Sequence, residues 1–171
     1  MKTLLLLRHA KSSWTDPRMD DHDRPLNDRG RLAAPVIGQF IVDRGLMPDL
    51  ILCSTARRAQ ETLERASALW PRVPATLSEK NLYLAASHKM IERLRQVDDS
   101  VGRLLMVGHN PGFEDLSIEL ASGGDSAALR RMSEKFPTAG LAVISFDISD
   151  WSKLERSRGT LLTFVTPRDL V

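Results

Sequence analysis

Four consecutive leucines, Leu4 to Leu7, run without a break into Arg8 and His9. An apolar run of this length suits a short buried strand and is too short for a buried helix. The pair of polar residues then marks the point where the strand leaves the core at the edge of a sheet. In open α/β sheets ligands bind in the crevice beyond the carboxyl ends of the strands. Arg8 and His9 are therefore expected at the mouth of a site, and other strands must supply the rest of it.

The pattern recurs along the chain. Asp49 to Cys53 and Arg103 to Val107 read as two further buried strands, Thr76-Leu77 as a short one, and Leu141 to Phe146 and Leu161 to Val165 as a final pair with a hairpin-like connection. Between them lie helical stretches. Asn27 can cap a helix from about Asp28 to Arg44, ended by Gly45, with Leu32, Val36, Ile37, Phe40 and Ile41 as its apolar face. Pro35 falls inside it and is expected to bend the first turns or to mark a later start. Further helices are expected from about Ala56 to Leu69, Ser87 to Val97, Gly112 to Ala121 and over 126–135, with Ser122 to Asp125 as a loop. Lys11 to Asn27 is a long polar segment holding Pro17, Pro25 and several aspartates, and long loops in compact domains are often functional. Strands alternating with helices predict an α/β fold: a three-layer α/β/α sandwich around a mostly parallel sheet. With 171 residues and no linker or repeat, one domain over 1–171 is expected.

Composition narrows the function classes. There are 24 basic and 22 acidic residues, a net charge of +2, which is too balanced to point to nucleic acid as partner, although basic residues clustered locally could take a small anion. Cys53 is the only cysteine, so no intramolecular disulfide forms, as in a reducing compartment. The N-terminal leucines are cut off below the length of a signal-peptide core, and no apolar run approaches a membrane span. A cytoplasmic protein without a membrane partner is expected.

Three strand exits carry the chemistry. The first ends in Arg8-His9, the second in Ser54-Thr55-Ala56-Arg57-Arg58-Ala59, the third in Gly108-His109-Asn110. In a parallel sheet these exits share one edge, so two histidines and up to three arginines can converge. Guanidinium groups match the charge of a phosphoryl group with a planar fork of donors. A neutral imidazole can attack phosphorus when its other ring nitrogen is held by a hydrogen bond. A second imidazole can donate a proton or stabilise developing charge, and helix N-termini add backbone donors. The four histidines and one cysteine lack metal-site spacing, and no metal or other cofactor is expected.

These residues resemble a known family. Leu7-Arg8-His9-Ala10 is similar to the RHG/RHA signature of the histidine phosphatase superfamily, also called phosphoglycerate mutase-like. Ser54 to Thr62 resembles its S-x-x-x-R-A-x-x-T motif, in which Arg58 is the phosphate arginine, and Val107 to Asn110 resembles the motif of the second histidine. Arg8 to Ser12, Asp23-Arg24-Pro25-Leu26, Gly108 to Gly112 and Pro137 to Gly140 look like the small SixA-like phosphohistidine phosphatases. The resemblance spans nearly the whole chain. It implies a phosphoglycerate mutase-like fold and a covalent phosphohistidine on His9, with Arg8, Arg58 and His109 around the phosphate and water releasing it. Ser12, Arg24 and Asn110 are added as substrate-binding candidates. Acid-phosphatase relatives carry Asp after the second histidine, where this chain has Asn110. Mutase-like relatives place a Glu after a short strand, and Leu77-Ser78-Glu79 resembles that position, so Glu79 is the candidate proton donor.

The expected substrate is a phosphorylated protein, such as a histidine phosphotransfer domain. The alternatives are a small phosphorylated metabolite, a non-catalytic phosphate-binding module, or a mutase, which this chain has few spare residues to enclose. Bland roles are expected for other residues: Arg57, His22 and His88 in solvent, Cys53 as a small buried side chain, and Arg24 either at the pocket rim or in a surface pair with Asp21 or Asp23.

Overall fold

The computed structural model describes residues 1–171. One seven-stranded sheet runs in the order β3-β2-β4-β1-β6-β7-β5. The strands are β1 (Lys2–Arg8), β2 (Leu50–Ser54), β3 (Ala75–Glu79), β4 (Arg103–Gly108), β5 (Ala121–Gly124), β6 (Leu141–Phe146) and β7 (Gly159–Val165). The helices are α1 (Asp28–Asp43), α2 (Arg57–Ala66), α3 (Ser87–Leu94), α4 (Gly112–Leu120) and α5 (Ser126–Glu134).

β1 lies at the centre. It pairs in parallel with β4 and antiparallel with β6, and its leucines divide between two apolar layers. Leu4 and Leu6 face a core shared with α3, α4 and α5, through Met90, Ile91, Phe113, Leu116 and Met132. Leu5 and Leu7 face the other, shared with α1 and α2, through Ile37, Ile41, Ala59 and Leu63. Side chains alternate across a strand, so an unbroken leucine run is what a strand covered on both faces requires. Full burial of each leucine contributes about 1.5–3 kcal/mol.

α1 and α2 pack closely: a Cβ on Gly38 would lie 1.8 Å from the Ala66 carbonyl oxygen, and the indole of Trp70 donates to the Gly38 carbonyl at 3.0 Å. α1 runs without interruption from Asp28 through Pro35, with the Asn27 side chain accepting from the Gly30 N–H as its cap. Pro35 therefore does not delay the start of α1. Its exposed position lets the ring face solvent. Leu32 does not join the apolar face; it is 75% exposed, and Ala34, Ile37, Gly38, Phe40 and Ile41 form the buried stripe.

Ser122 to Gly124, expected as a loop, belongs to β5, which pairs in parallel with the edge of β7. Polar and glycine-rich, it carries no strand pattern; the glycines serve close backbone approach instead. Gly124 has φ +117°, and a Cβ there would lie 2.4 Å from the Leu161 carbonyl oxygen. β3 also extends beyond Thr76-Leu77, through Ser78 and Glu79, and Ser54 and Glu79 are register partners at the strand ends.

The four strands β3, β2, β4 and β1 are mutually parallel neighbours, so their carboxyl ends share one edge. β6 runs the other way and begins there, with Leu141 opposite Leu7. Residues 136–140 therefore arrive beside Arg8 and His9, and the Ala139 N–H donates to both the Arg8 and His9 carbonyls at 3.1 Å. No helix is long and apolar enough to cross a membrane.

Candidate active site

His9 leaves β1 with its N–H donated to the Gly108 carbonyl of β4 at 3.0 Å. Its Nδ1 stands 2.7 Å from the Ala10 carbonyl oxygen. A carbonyl can only accept, so Nδ1 carries the hydrogen and Nε2 keeps a free lone pair. The Ala10 N–H donates to Thr62 Oγ at 2.9 Å, and Thr62 Oγ donates to the Arg58 carbonyl at 2.6 Å. This chain of bonds ties the turn after β1 to the first turns of α2. Burial pushes the His9 pKa down to about 3, against the opposing pull of the Ala10 carbonyl, so the ring is neutral near pH 7.

His109 follows β4, and its ring centroid lies 5.2 Å from that of His9. Its Nε2 is 2.7 Å from Ser54 Oγ at the end of β2. Ser54 Oγ also accepts from the Ala56 N–H at 3.2 Å and keeps both its hydrogen and a second lone pair, so it can meet either tautomer of His109. When Nε2 accepts from Ser54, Nδ1 carries the hydrogen; Nδ1 is buried without a protein partner. Burial first, and the Arg58 charge second, hold the His109 pKa down to about 3.

Arg58, in the first turn of α2, is only 2% exposed. Its Nη1 donates to the Asp21 carbonyl at 2.6 Å and its Nη2 to the Asp21 carboxylate at 2.9 Å, while Nε is buried without a partner. Arg8 donates from Nη1 to the Phe136 carbonyl at 2.9 Å, and its Nε is likewise buried and unpartnered. Asp21 also accepts from Arg24 Nε at 3.0 Å and from the Tyr83 hydroxyl. Burial raises its pKa, but the bonds from Tyr83, Arg58 and Arg24 outweigh this and hold the carboxyl well below the usual range.

These groups line a cleft of about 350 Å³: Arg8, His9, Ser12, Arg24, Arg58, His109 and Asn110 are brought together there, along with Lys11, Trp14, Asp21, Leu84 and Thr138. Arg24 combines both expected roles. It is buried, pairs with Asp21, donates to Ser12 Oγ at 2.6 Å, and stacks 3.5 Å from the centre of the Trp14 ring. Asn110 turns its amide to structure, donating to the Phe136 carbonyl at 2.9 Å and accepting from the Glu114 N–H at 3.2 Å.

Glu79 is not brought to the cleft. Its carboxylate is doubly bound by Arg93, at 2.7 Å from Nη2 and 2.9 Å from Nε, in a separate depression with Lys80 and Lys89. Its strand ends at the right edge, but a cation on α3 claims the side chain. His22 is not a solvated bystander: its Nε2 is 2.9 Å from Thr55 Oγ and its ring meets Tyr83 edge-on. His88, Arg57 and Cys53 lie as expected, the first two exposed and the thiol buried with its pKa pushed up to about 12.

Motif reading overlooked Asp21, Trp14 and Leu84, which line the cleft, and Tyr83, which packs against its residues. Tyr83 stacks edge-on to His109 at 5.4 Å and gave no signal of its own. Asp21 stood in the aspartate-rich loop, three residues before Arg24, and that spacing was the available clue. No group of three or more His, Cys, Asp or Glu side chains is arranged to hold a metal ion. The cleft's positive charge comes from Arg8, Lys11, Arg24 and Arg58. With two neutral imidazoles and unfilled guanidinium donors, it can bind a tetrahedral oxyanion and present a nitrogen lone pair to it.

Comparison with known proteins bears on the family and the fold. Residues 4–82 match the model of the histidine phosphatase superfamily (branch 1). An uncharacterized protein of Mycobacterium tuberculosis is 42% identical over 166 residues, covering 95% of this chain and 100% of its own length. Among solved structures, a candidate SixA phosphohistidine phosphatase from Agrobacterium tumefaciens is 30% identical with a TM-score of 0.80, covering 97% of this chain and 98% of the other. Its counterpart from Nakamurella multipartita is 26% identical with a TM-score of 0.84, covering 97% and 96%. A signature split over three strand exits, a sheet that unites them and relatives matching along nearly the full chain lead to one assignment: this protein belongs to the histidine phosphatase superfamily, is SixA-like, and is a phosphatase-type hydrolase.

Proposed function

We propose that this phosphatase removes the phosphoryl group from a phosphohistidine on a protein, through a covalent intermediate on His9. The observation that carries the reading is the state of Asp21. It is the one carboxylate lining the cleft, and three donors hold it ionised. An alkoxide leaving group needs a positioned acid to protonate it. The imidazole of a phosphohistidine can take its proton from water and leave as a neutral base, so a cleft without a free carboxylic acid suits it. Two side chains at the rim support a macromolecular substrate. Trp14 is 70% exposed and Leu84 52% exposed, apolar surface beside the phosphate cleft that a protein partner can cover. The SixA names of the similar structures point the same way.

In the first step His9 Nε2 attacks phosphorus. The P–N bond to the substrate imidazole breaks, its electron pair returning to that nitrogen, which is protonated from water. Arg8 and Arg58 hold the non-bridging oxygens, and His109 Nδ1–H supplies a further donor to them. In the second step water attacks phosphorus and the bond to His9 Nε2 breaks. Inorganic phosphate forms, and His9 regains its lone pair. The Ala10 carbonyl keeps the Nδ1 hydrogen in place throughout and stabilises the positive charge that develops on the ring.

The test compares initial rates on a phosphorylated histidine phosphotransfer domain and on sugar phosphates. The reading expects the phosphohistidine substrate to be favoured in kcat/KM. Faster turnover of a sugar phosphate would instead establish a small-molecule phosphomonoesterase.

A further inference from the structure

A second cleft, of about 520 Å³, opens beside the first and shares Arg8 and Lys11 with it. Arg29 of α1, Lys135 after α5, and Arg168 in the C-terminal turn complete a set of five cations, and no Asp or Glu lines the cleft. None of the five forms an ion pair within 4.0 Å, in a chain where eleven other lysine and arginine side chains do. Of the carboxylates adjacent in sequence, Asp28 pairs with Arg31 at 2.9 Å and Asp169 pairs with Arg131 at 2.7 Å while capping the turn at Thr166; Glu134, next to Lys135, does not line the cleft. Glu114 acts on Arg8 from beyond ion-pairing distance, and the remaining converging like charges cost folding energy unless an external anion meets them.

We infer that this cleft receives the carboxylates of an acidic segment flanking the phosphorylated residue of a protein substrate. The inference rests on the proposed protein substrate and extends it. The build of the two clefts argues for carboxylates spread along a protein, not for a second phosphate. Where a phosphate is to be gripped, the guanidiniums are anchored, Arg58 on Asp21 and Arg8 on the Phe136 carbonyl. In the second cleft Lys11, Arg29, Lys135 and Arg168 are exposed side chains without hydrogen-bond anchors. Such mobile charges match dispersed carboxylates and act chiefly on encounter rate and partner choice. Arg8, common to both clefts, links the position of the phosphoryl group to that of the flanking acids.

The experiment uses two synthetic phosphohistidine peptides of one length, flanked by Asp and Glu or by Asn and Gln, with p-nitrophenyl phosphate as the basal substrate. The wild-type enzyme is expected to favour the acidic peptide by about tenfold in kcat/KM at low ionic strength, and added salt to erase the preference. Arg29→Glu combined with Arg168→Glu is expected to abolish or invert it while p-nitrophenyl phosphate hydrolysis is kept; Arg29→Gln with Arg168→Gln serves if the reversed pair fails to fold. Equal rates on the two peptides, or a preference that survives both double variants, would overturn the inference. So would strong inhibition by a small bisphosphate that depends on Arg29 and Arg168, since that makes the cleft a small-molecule subsite. Anisotropy of a labelled acidic peptide without phosphate separates the two readings. If neither phosphohistidine peptide is turned over but this peptide still binds through Arg29 and Arg168, the substrate reading fails and the acidic-segment site stands. If it does not bind, the cleft inference fails.

Discussion

The carboxylate of Asp21 lies across the guanidinium of Arg58, 2.9 Å from Nη2, while the Asp21 carbonyl accepts from Nη1 at 2.6 Å. The group that motif and geometry mark for phosphate is thus held by a resident anion. A phosphoryl dianion entering the cleft comes close to that carboxylate. A second unit charge some 4 Å away costs about 1 kcal/mol in a water-like medium, or roughly fivefold in affinity. Asp21→Asn keeps an acceptor for Arg58 and removes the charge. Inorganic phosphate is expected to inhibit the variant about fivefold more strongly than the wild type. An unchanged or weaker inhibition constant would show that the charge of Asp21 orients Arg58 more than it competes.

The same carboxylate bears on acid stability. Its pKa is depressed in the folded chain, so its contribution is present above the unfolded carboxyl value and is lost as pH falls through the folded one. Asp21→Asn should therefore lower stability near neutral pH and approach the wild type in strong acid. Denaturant melts taken downward from pH about 5 check this.

The two buried histidines act in the same direction, over a higher pH range. Each is held at about 3 against an ordinary value of 6.5, burial being the larger cause. Below pH 6.5 the unfolded chain binds protons that the native chain refuses, so stability falls with pH from about 6.5 toward 3. His109→Asn is expected to flatten that slope. Nitrogen-15 NMR should show His9 Nε2 as an unprotonated, pyridine-like nitrogen throughout pH about 5 to 8. A His9 titration midpoint near 6.5 would contradict the assignment.

Ser54 Oγ is the one partner of the His109 ring, at 2.7 Å from Nε2. Ser54→Ala frees the ring to rotate and to change tautomer. A lost hydrogen bond to a buried group is worth about 1–2 kcal/mol, so kcat/KM is expected to fall roughly five- to thirtyfold. Ser54→Thr, which keeps the hydroxyl, should recover most of the loss. Equal damage from both variants would indicate packing at the end of β2 and not the hydrogen bond.

Glu79→Gln tests the displaced proton donor. With its carboxylate bound by Arg93 and outside the cleft, the variant should keep its rate on phosphohistidine and phosphoester substrates within about twofold. A large loss confined to phosphoesters with poor leaving groups would restore Glu79 as the acid.

Much of this architecture was legible because its signals are local. Leu4 to Leu7 announces a strand buried on both faces, and Ser54-Thr55, Arg8-His9 and Gly108-His109 each end a recognisable strand. The parallel sheet then brings them together without further information. β5 was not legible, because Ser122-Gly123-Gly124 pairs through its backbone alone and has no apolar alternation to read. Leu32 shows the limit of helical periodicity, since the tight contact at Gly38 sets which face of α1 turns inward. Asp21 and Tyr83 escaped for another reason. Both lie on connecting segments, where side-chain direction follows from tertiary contacts and no periodicity predicts it. Glu79 was placed on the correct edge of the sheet, and only its competition with Arg93, from a helix fourteen residues later, decided where the carboxylate went.

The most direct measurement is the chemical trapping of His9. The enzyme is mixed with radiolabelled phosphohistidine protein or p-nitrophenyl phosphate, quenched in alkali within the first turnover, and divided between acid and base. The account predicts label bound to the wild-type protein that survives base, is lost in acid, maps to the peptide holding His9, and is absent from His9→Ala together with the activity. Full turnover by His9→Ala, or label found on another residue, would contradict it.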